Sequence, residues 1–238
     1  MSKKRLLLVS NGAEIMLQPT ETTSQAIRDF LGREVKNIFF VPFANVVRSF
    51  DDYASAVRAR FGALGYDVQS AHEAADPLAA LGNADAIVVG GGNTFHLLRG
   101  LYEAGLMEAI RERVESGVPY LGWSAGSNVA CPSIKTTNDM PVVEPPSLDA
   151  LRLVPFQINP HYTDAHPPGH HGETRDERIA EFVHVNPGTY VVGLREGSML
   201  RIEGTRINLL GDKTARIFVN GKLPAEVGPG ESLQFLFS

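Results

Sequence analysis

The sequence predicts an α/β fold, a three-layer doubly wound arrangement of a mostly parallel sheet with helices on both faces and an antiparallel C-terminal edge. Two observations carry this expectation. Over the first half of the chain, short runs that are apolar throughout alternate with helical patterns, and such runs belong to strands buried on both faces. From Tyr190 onward the runs become short and closely spaced, as in hairpins at one edge of a sheet.

Taken in order, Arg5–Ser10 is the first strand, followed by polar Asn11-Gly12. Ser24–Leu31 carries a helical pattern with Thr22 or Thr23 as its N-cap. Asn37–Pro42 is the second strand. Asp51–Leu64 reads as a helix, opened by two acidic residues that suit the positive end of the helix dipole and closed by Gly65. Tyr66–Gln69 is a short strand, and Asp76–Leu81 a short helix with proline at its second position. The strand Ala86–Val89 runs into three glycines. Helices follow at Thr94–Glu103 and Leu106–Ser116, then the strand Pro119–Trp123, after which Ser124–Ala130 can start a helix. Beyond Cys131-Pro132 the chain is rich in Pro, Asn, Asp and His, interrupted by a strand at Arg152–Asn159 and a helix at Arg175–His184. The last strands are Tyr190–Leu194, Met199–Glu203, Arg206–Leu210, Ala215–Val219 and Leu233–Phe237. No repeat, linker or low-complexity tract divides the chain, so residues 1–238 are expected to form a single catalytic domain.

Composition narrows the function. With 43% hydrophobic and 21% charged residues, disorder, collagen and coiled coil are excluded. One cysteine cannot form an intramolecular disulfide, which permits a reducing compartment. The net charge is −5, from 22 basic and 27 acidic residues. Such a chain is a poor nucleic-acid binder, and an acidic substrate must be captured by a local cation because the overall field repels it. The run Leu6–Val9 is too short for a signal peptide, and no stretch approaches the ~20 apolar residues of a membrane span. The expectation is a cytoplasmic monomer or homodimer with no membrane or nucleic-acid partner.

The strongest chemical signal is Gly122-Trp123-Ser124-Ala125-Gly126, a G-x-S-x-G between an apolar strand and a helical start. A serine on such a turn projects its hydroxyl out of the sheet, and the helix behind it offers amide donors to an oxyanion. The bland alternative is a turn that only packs or binds phosphate. Gly90-Gly91-Gly92-Asn93 follows another strand and matches neither a dinucleotide fingerprint nor a Walker loop. In a doubly wound sheet it shares the crevice with Ser124, where Gly-rich backbone and the Ala125 amide suit an oxyanion hole. Of seven histidines, four fall within His161–His171. No paired-ligand spacing on a helix accompanies them, so a zinc site is set aside. His161 is the best base, because it follows the strand Arg152–Asn159 at the crevice. The carboxylate partner is Glu196, Asp139 or Asp164 by position. Cys131 is read as packing along the helix after Ser124.

Six ordered motifs then acquire a joint meaning. Val88–Phe95, Gly122–Asn128, Thr136–Pro141, Gln157–His161, Gly172–Arg175 and Leu194–Gly197 resemble the bacterial peptidase E family of α-aspartyl dipeptidases. The likeness runs from about Leu7 to about Leu210. It implies a class I glutamine-amidotransferase-like fold and a serine peptidase that removes N-terminal aspartate from dipeptides. The family's triad motifs fall on Ser124, His161 and Glu196. That chain order differs from Ser…Asp/Glu…His in α/β-hydrolases and argues against an esterase or amidase of that fold. The Asn138-Asp139 and Arg175 motifs match regions that help form the family's substrate site.

The expected reaction is acyl transfer from Ser124, with His161 as base, Glu196 as its orienting partner, and the amides of Gly91 or Gly92 and of Ala125 as oxyanion donors. No cofactor or metal takes part. Arg175 is the expected partner of the substrate's aspartate, with Glu173 or Asp176 as competing ion-pair partners. Asn138 could donate a further bond, and Asp139 or Glu144 could accept from the α-amino group. The Tyr162–Gly172 loop is read as limiting the pocket's depth. The rivals are a serine esterase or amidase of other specificity and a non-catalytic module binding an anion at Gly90–Asn93.

Overall fold

The computed structural model describes residues 3–165, 169 and 172–237. Successive side chains of a strand point to opposite faces, and these strands are apolar at both parities. In β1 (Arg5–Val9), Leu6 and Leu8 enter one hydrophobic cluster while Leu7 and Val9 enter another. β2 (Asn37–Val41) divides into Phe39 and Val41 against Ile38 and Phe40. β4 (Ala86–Val89) divides into Ile87 and Val89 against Ala86 and Val88. Both faces therefore need cover.

These strands belong to a seven-stranded sheet ordered β3 (Asp67–Ser70), β2, β4, β5 (Tyr120–Trp123), β1, β8 (Ser198–Glu203), β9 (Arg206–Gly211). The first five run parallel, and β8 and β9 add an antiparallel hairpin at the edge, as expected. One face is covered by α2 (Glu21–Leu31) and α3 (Phe50–Gly62), through Ile27, Phe30, Val57 and Phe61. A short α1 (Ala13–Met16), not anticipated from the sequence, adds Ile15 to the same layer. The other face is covered by α5 (Thr94–Glu103) and α6 (Leu106–Glu115), with α4 (Pro77–Gly82) and α7 (Ala125–Asn128) beside them.

The remaining strands do not extend that edge. β6 (Gln157–Tyr162), β7 (Val191–Arg195), β10 (Ala215–Phe218) and β11 (Ala225–Val227) form a second, four-stranded sheet ordered β11-β10-β7-β6. Ile158, Val192, Leu194 and Ile217 join the α5–α6 cluster, whereas Tyr162, Val191 and Phe218 pack on Ile179 and Val183 of α8 (Arg175–Val185).

Three local expectations are corrected. The N-cap of α2 is Thr20, whose side chain accepts from the Thr23 amide, rather than Thr22 or Thr23. The strand read at Arg152–Asn159 begins only at Gln157 and continues through Tyr162. Residues before it bond elsewhere, with the amides of Leu151, Arg152 and Leu153 donating to the carbonyls of Val129, Cys131 and Ala130. Finally, Leu233–Phe237 is a 3₁₀ turn over Gln234–Phe237 whose aromatic rings meet Tyr190 and Phe156.

Candidate active site

Ser124 stands at the carboxyl end of β5 with φ 53° and ψ −114°, a conformation rare for a residue with a side chain. Its amide donates to the Val9 carbonyl (3.0 Å), which prolongs the β5–β1 ladder, while its own carbonyl accepts from Ser127 and Asn128 to open α7. The small neighbours are a steric necessity. A Cβ on Gly126 would lie 2.2 Å from the Val89 carbonyl oxygen, and one on Gly91 2.9 Å from the Ser124 Cβ. The Gly90–Asn93 loop thus lies against the serine. Its outer amides are occupied, Gly90 by the Val41 carbonyl and Asn93 by that of Ala44. Among the described residues, the amides of Gly91, Gly92 and Ala125 donate to no protein acceptor.

His161 arrives from the second sheet. β6 is an edge strand, where Pro160 is tolerated, and its register with β7 shifts between Pro160 and Tyr162. The shift puts His161 at φ 54° and turns its ring toward β5. Nε2 stands 2.8 Å from Ser124 Oγ, and Nδ1 stands 2.6 Å from Glu196 Oε1. Glu196 sits in the tight β7–β8 turn, with Gly197 at φ 90° completing the reversal. The imidazole and carboxylate are 39% and 59% exposed, so this relay is open to water along one side. An imidazole held between a hydroxyl and a carboxylate can take the hydroxyl proton and have its charge stabilised.

Sequence reasoning missed Ser10. Its hydroxyl donates to the Leu194 carbonyl (2.7 Å) and accepts from the His161 amide (3.0 Å), tying the end of β1 to both strands that carry the relay. Its only local signal is that it is the first polar residue after a buried run.

The other carboxylates face elsewhere. Asp164 pairs with Arg195, which also holds Glu226 and lies over the Tyr162 ring. These partners raise the Arg195 pKa and hold the Glu226 carboxyl at about 2. Asp139 Oδ2 accepts from the Thr94 amide (2.7 Å), the Thr94 hydroxyl (2.6 Å) and the Thr137 hydroxyl (3.2 Å), docking its loop on the start of α5. Asn138 donates to the Pro160 carbonyl (2.8 Å), next to His161, and its Oδ1 accepts from Asn159 and from Arg175. Arg175 is half-buried at the first turn of α8. Burial and the nearby Arg178 lower its pKa, against the pull of Asp139. Glu173 lies by Arg178 and Asp176 by Arg216, so among the described residues no carboxylate forms an ion pair with Arg175, although Asp139 is near enough to attract it.

His166, His170 and His171 lie outside the described residues, as does part of the Tyr162–Gly172 loop. Among the described residues, the group that could hold a metal ion is Asp51, His72 and Glu73, on α3 and the 3₁₀ turn after β3. There His72 already bonds Asp51 and Glu73 pairs with Arg58. Cys131 is fully buried, which pushes its thiol pKa up. No described helix is long and apolar enough to cross a membrane.

The sequence matches Peptidase family S51 over residues 6–210. The chain belongs to this family. It is a serine-type peptidase, a hydrolase of peptide bonds. A protein named Peptidase E from Nostoc sp. (strain PCC 7120 / SAG 25.82 / UTEX 2576) is 50% identical over 233 residues, covering 98% of this S51 chain and 96% of its own. A Peptidase E of Streptomyces coelicolor (strain ATCC BAA-471 / A3(2) / M145) is 48% identical over 232 residues, covering 97% and 94%. The fold is shared with the crystal structure of a peptidase from an acI-B1 Actinobacterium, at TM-score 0.71 and 17% identity, covering 97% of this chain and 96% of that one.

Proposed function

We propose that this S51 peptidase hydrolyses dipeptides with N-terminal aspartate, through an acyl-enzyme on Ser124. The observation that supports this reading is the hydrogen-bonded line from Glu196 through His161 to Ser124. His161 Nε2 takes the Ser124 proton as Oγ attacks the scissile carbonyl, and Glu196 keeps Nδ1 protonated. The amides of Gly91 or Gly92 and of Ala125 receive the oxyanion. His161 then protonates the leaving amine, and water, activated by the same imidazole, releases aspartate. No step calls on a metal or cofactor.

Arg175, without a carboxylate of its own, holds the substrate's side-chain carboxylate, with Asn138 steadying the guanidinium. Asp139 Oδ1, left over from the Thr94 contacts, accepts from the substrate's α-amino group. Residues 1–238 act as one catalytic domain in this reading, which is supported by the serine and histidine coming from different sheets. A cytoplasmic setting accords with the single, buried cysteine.

The test is hydrolysis of Asp-Leu and Asn-Leu, with fluorophosphonate labelling of the same preparations. Wild type should cleave Asp-Leu, cleave Asn-Leu far more slowly and take the label on Ser124. The S124A variant should fold, lose the label and lose activity by at least ~10³-fold. Equal rates on the two dipeptides would remove the aspartate specificity, and retention of more than about a tenth of kcat in S124A would mean another nucleophile.

A further inference from the structure

The geometry points to a subsite for the leaving amino acid on the face of the sheet opposite Arg175, with Arg48 receiving that residue's free carboxylate. This inference rests on the dipeptidase reading and extends it to the other half of the substrate. The argument begins with layers. Asn138 and Arg175 belong to the side of the seven-stranded sheet on which the second sheet packs. Trp123, the residue before Ser124, packs into the α2–α3 layer on the other side. Ser124 stands at the carboxyl edge between the two. A substrate carbonyl at Ser124 with its acyl part directed to Arg175 sends its amine across that edge.

A cleft of about 220 Å³ lies there, bordered by Gly91, Trp123, Tyr53, Met16, Leu17 and Arg48. Two of its bordering residues adjoin the serine: Trp123 precedes it in the chain, and a Cβ on Gly91 would lie 2.8 Å from the Trp123 ring and 2.9 Å from Ser124 Cβ. Its wall is fixed, since the Tyr53 hydroxyl donates to the Gly91 carbonyl (3.1 Å) and the Tyr53 ring packs edge-on against Phe40. The lining is largely apolar, suited to a hydrophobic side chain. Its volume falls below the roughly 300–1,000 Å³ of general small-molecule sites, which suits one residue rather than a continuing peptide.

Charge completes the case. A dipeptide brings a free α-carboxylate to a protein whose net charge is −5. Arg48, exposed on the loop between β2 and α3, has no hydrogen bond or ion pair among the described residues. It is the cation bordering the cleft. One cation on each face then answers the two carboxylates of Asp-Xaa, and an extended peptide, with an amide where the second carboxylate should be, loses one of them.

The experiment compares Asp-Leu with its C-terminal amide, Asp-leucinamide, on wild type, Arg48→Gln and Arg48→Lys, with fluorophosphonate labelling as a check of the serine. Arg48→Gln should raise KM for Asp-Leu about five- to tenfold with kcat within about twofold, and leave the amide's KM unchanged. Arg48→Lys should recover part of the loss. Equal rises for acid and amide, or no change for either, would overturn the subsite while the dipeptidase reading stands. Wild type that labels yet cleaves neither compound overturns that reading instead, and the subsite with it.

Discussion

Ser124 and His161 both hold a positive φ, as does only Arg152 besides among the described non-glycine residues. Such conformations cost about 1–3 kcal/mol each and persist where surrounding bonds over-determine them. Here the Val9 carbonyl holds the Ser124 amide and the Ser10 hydroxyl holds the His161 amide. In the proposed relay, Glu196 acts on a ring already aimed by the backbone, and it is 59% exposed, so water can partly replace it. Glu196→Gln should therefore fold normally and lose about 10²-fold in kcat, less than a buried orienting carboxylate would cost. A rate equal to wild type would take Glu196 out of the relay. Arg175→Met should erode specificity. Wild type can favour Asp-Leu over Asn-Leu by up to ~10⁴, and the variant should shrink that ratio by ~10² through loss on Asp-Leu. An unchanged ratio would place the aspartate pocket elsewhere. The placing of Ser124 on a strand-to-helix turn was legible because strand, glycines and serine are adjacent in sequence. Whether Arg175 would be neutralised by Glu173 or Asp176 was not, since their partners Arg178 and Arg216 are chosen by the fold.

At the scale of elements, the turn between β5 and α7 depends on what it passes. The backbone at Gly126 crosses so close to β4 that a methyl group would stand 2.2 Å from the Val89 carbonyl. Backbone cannot give way as a flexible side chain does, so Gly126→Ala should destabilise by about 3 kcal/mol and displace Ser124. Parallel losses in melting temperature and kcat would register this. A melting temperature equal to wild type would show that the contact can relax. Elements set by local chemistry were readable in advance: α5 begins and ends where its pattern predicts, with Asn93 capping the His96 amide. β6 was misjudged for a physical reason. Proline usually ends a strand, yet this strand is an edge, and Pro160 and the bulge at His161 are accommodated within it.

Over the whole molecule, two sheets must meet for the relay to exist. Apolar runs identified β7 and β10 and part of β6, yet these are as short as β8 and β9, while β11 was not read as a strand at all, because its three residues leave only Val227 buried. Sheet membership follows from long-range pairing that no local pattern records. Within the smaller sheet, Glu226 joins Arg195, Arg216 and Thr214 across β7, β10 and β11. The Arg195 bond is the main cause of its carboxyl falling from 4.5 to about 2. A depressed carboxyl stabilises the fold above its unfolded pKa, and that contribution fades as pH drops toward the folded value. Glu226→Gln should melt below wild type at pH 7, with the gap closing between about pH 4.5 and pH 2. A gap constant down to pH 2 would mean that the charge of Glu226 is not what stabilises.

The division of the relay between sheets has a further consequence during synthesis. The ribosome delivers β1, β4, β5 and the Ser124 turn first, whereas Glu196 emerges roughly seventy residues later, about 4–14 s at ~5–20 residues per second. In the proposed relay, the nascent serine has neither its proton acceptor nor the orienting carboxylate until β6 and β7 dock. On that proposal, a polypeptide still in manufacture carries an inactive serine, whose reactivity waits on the docking of the second sheet against the first.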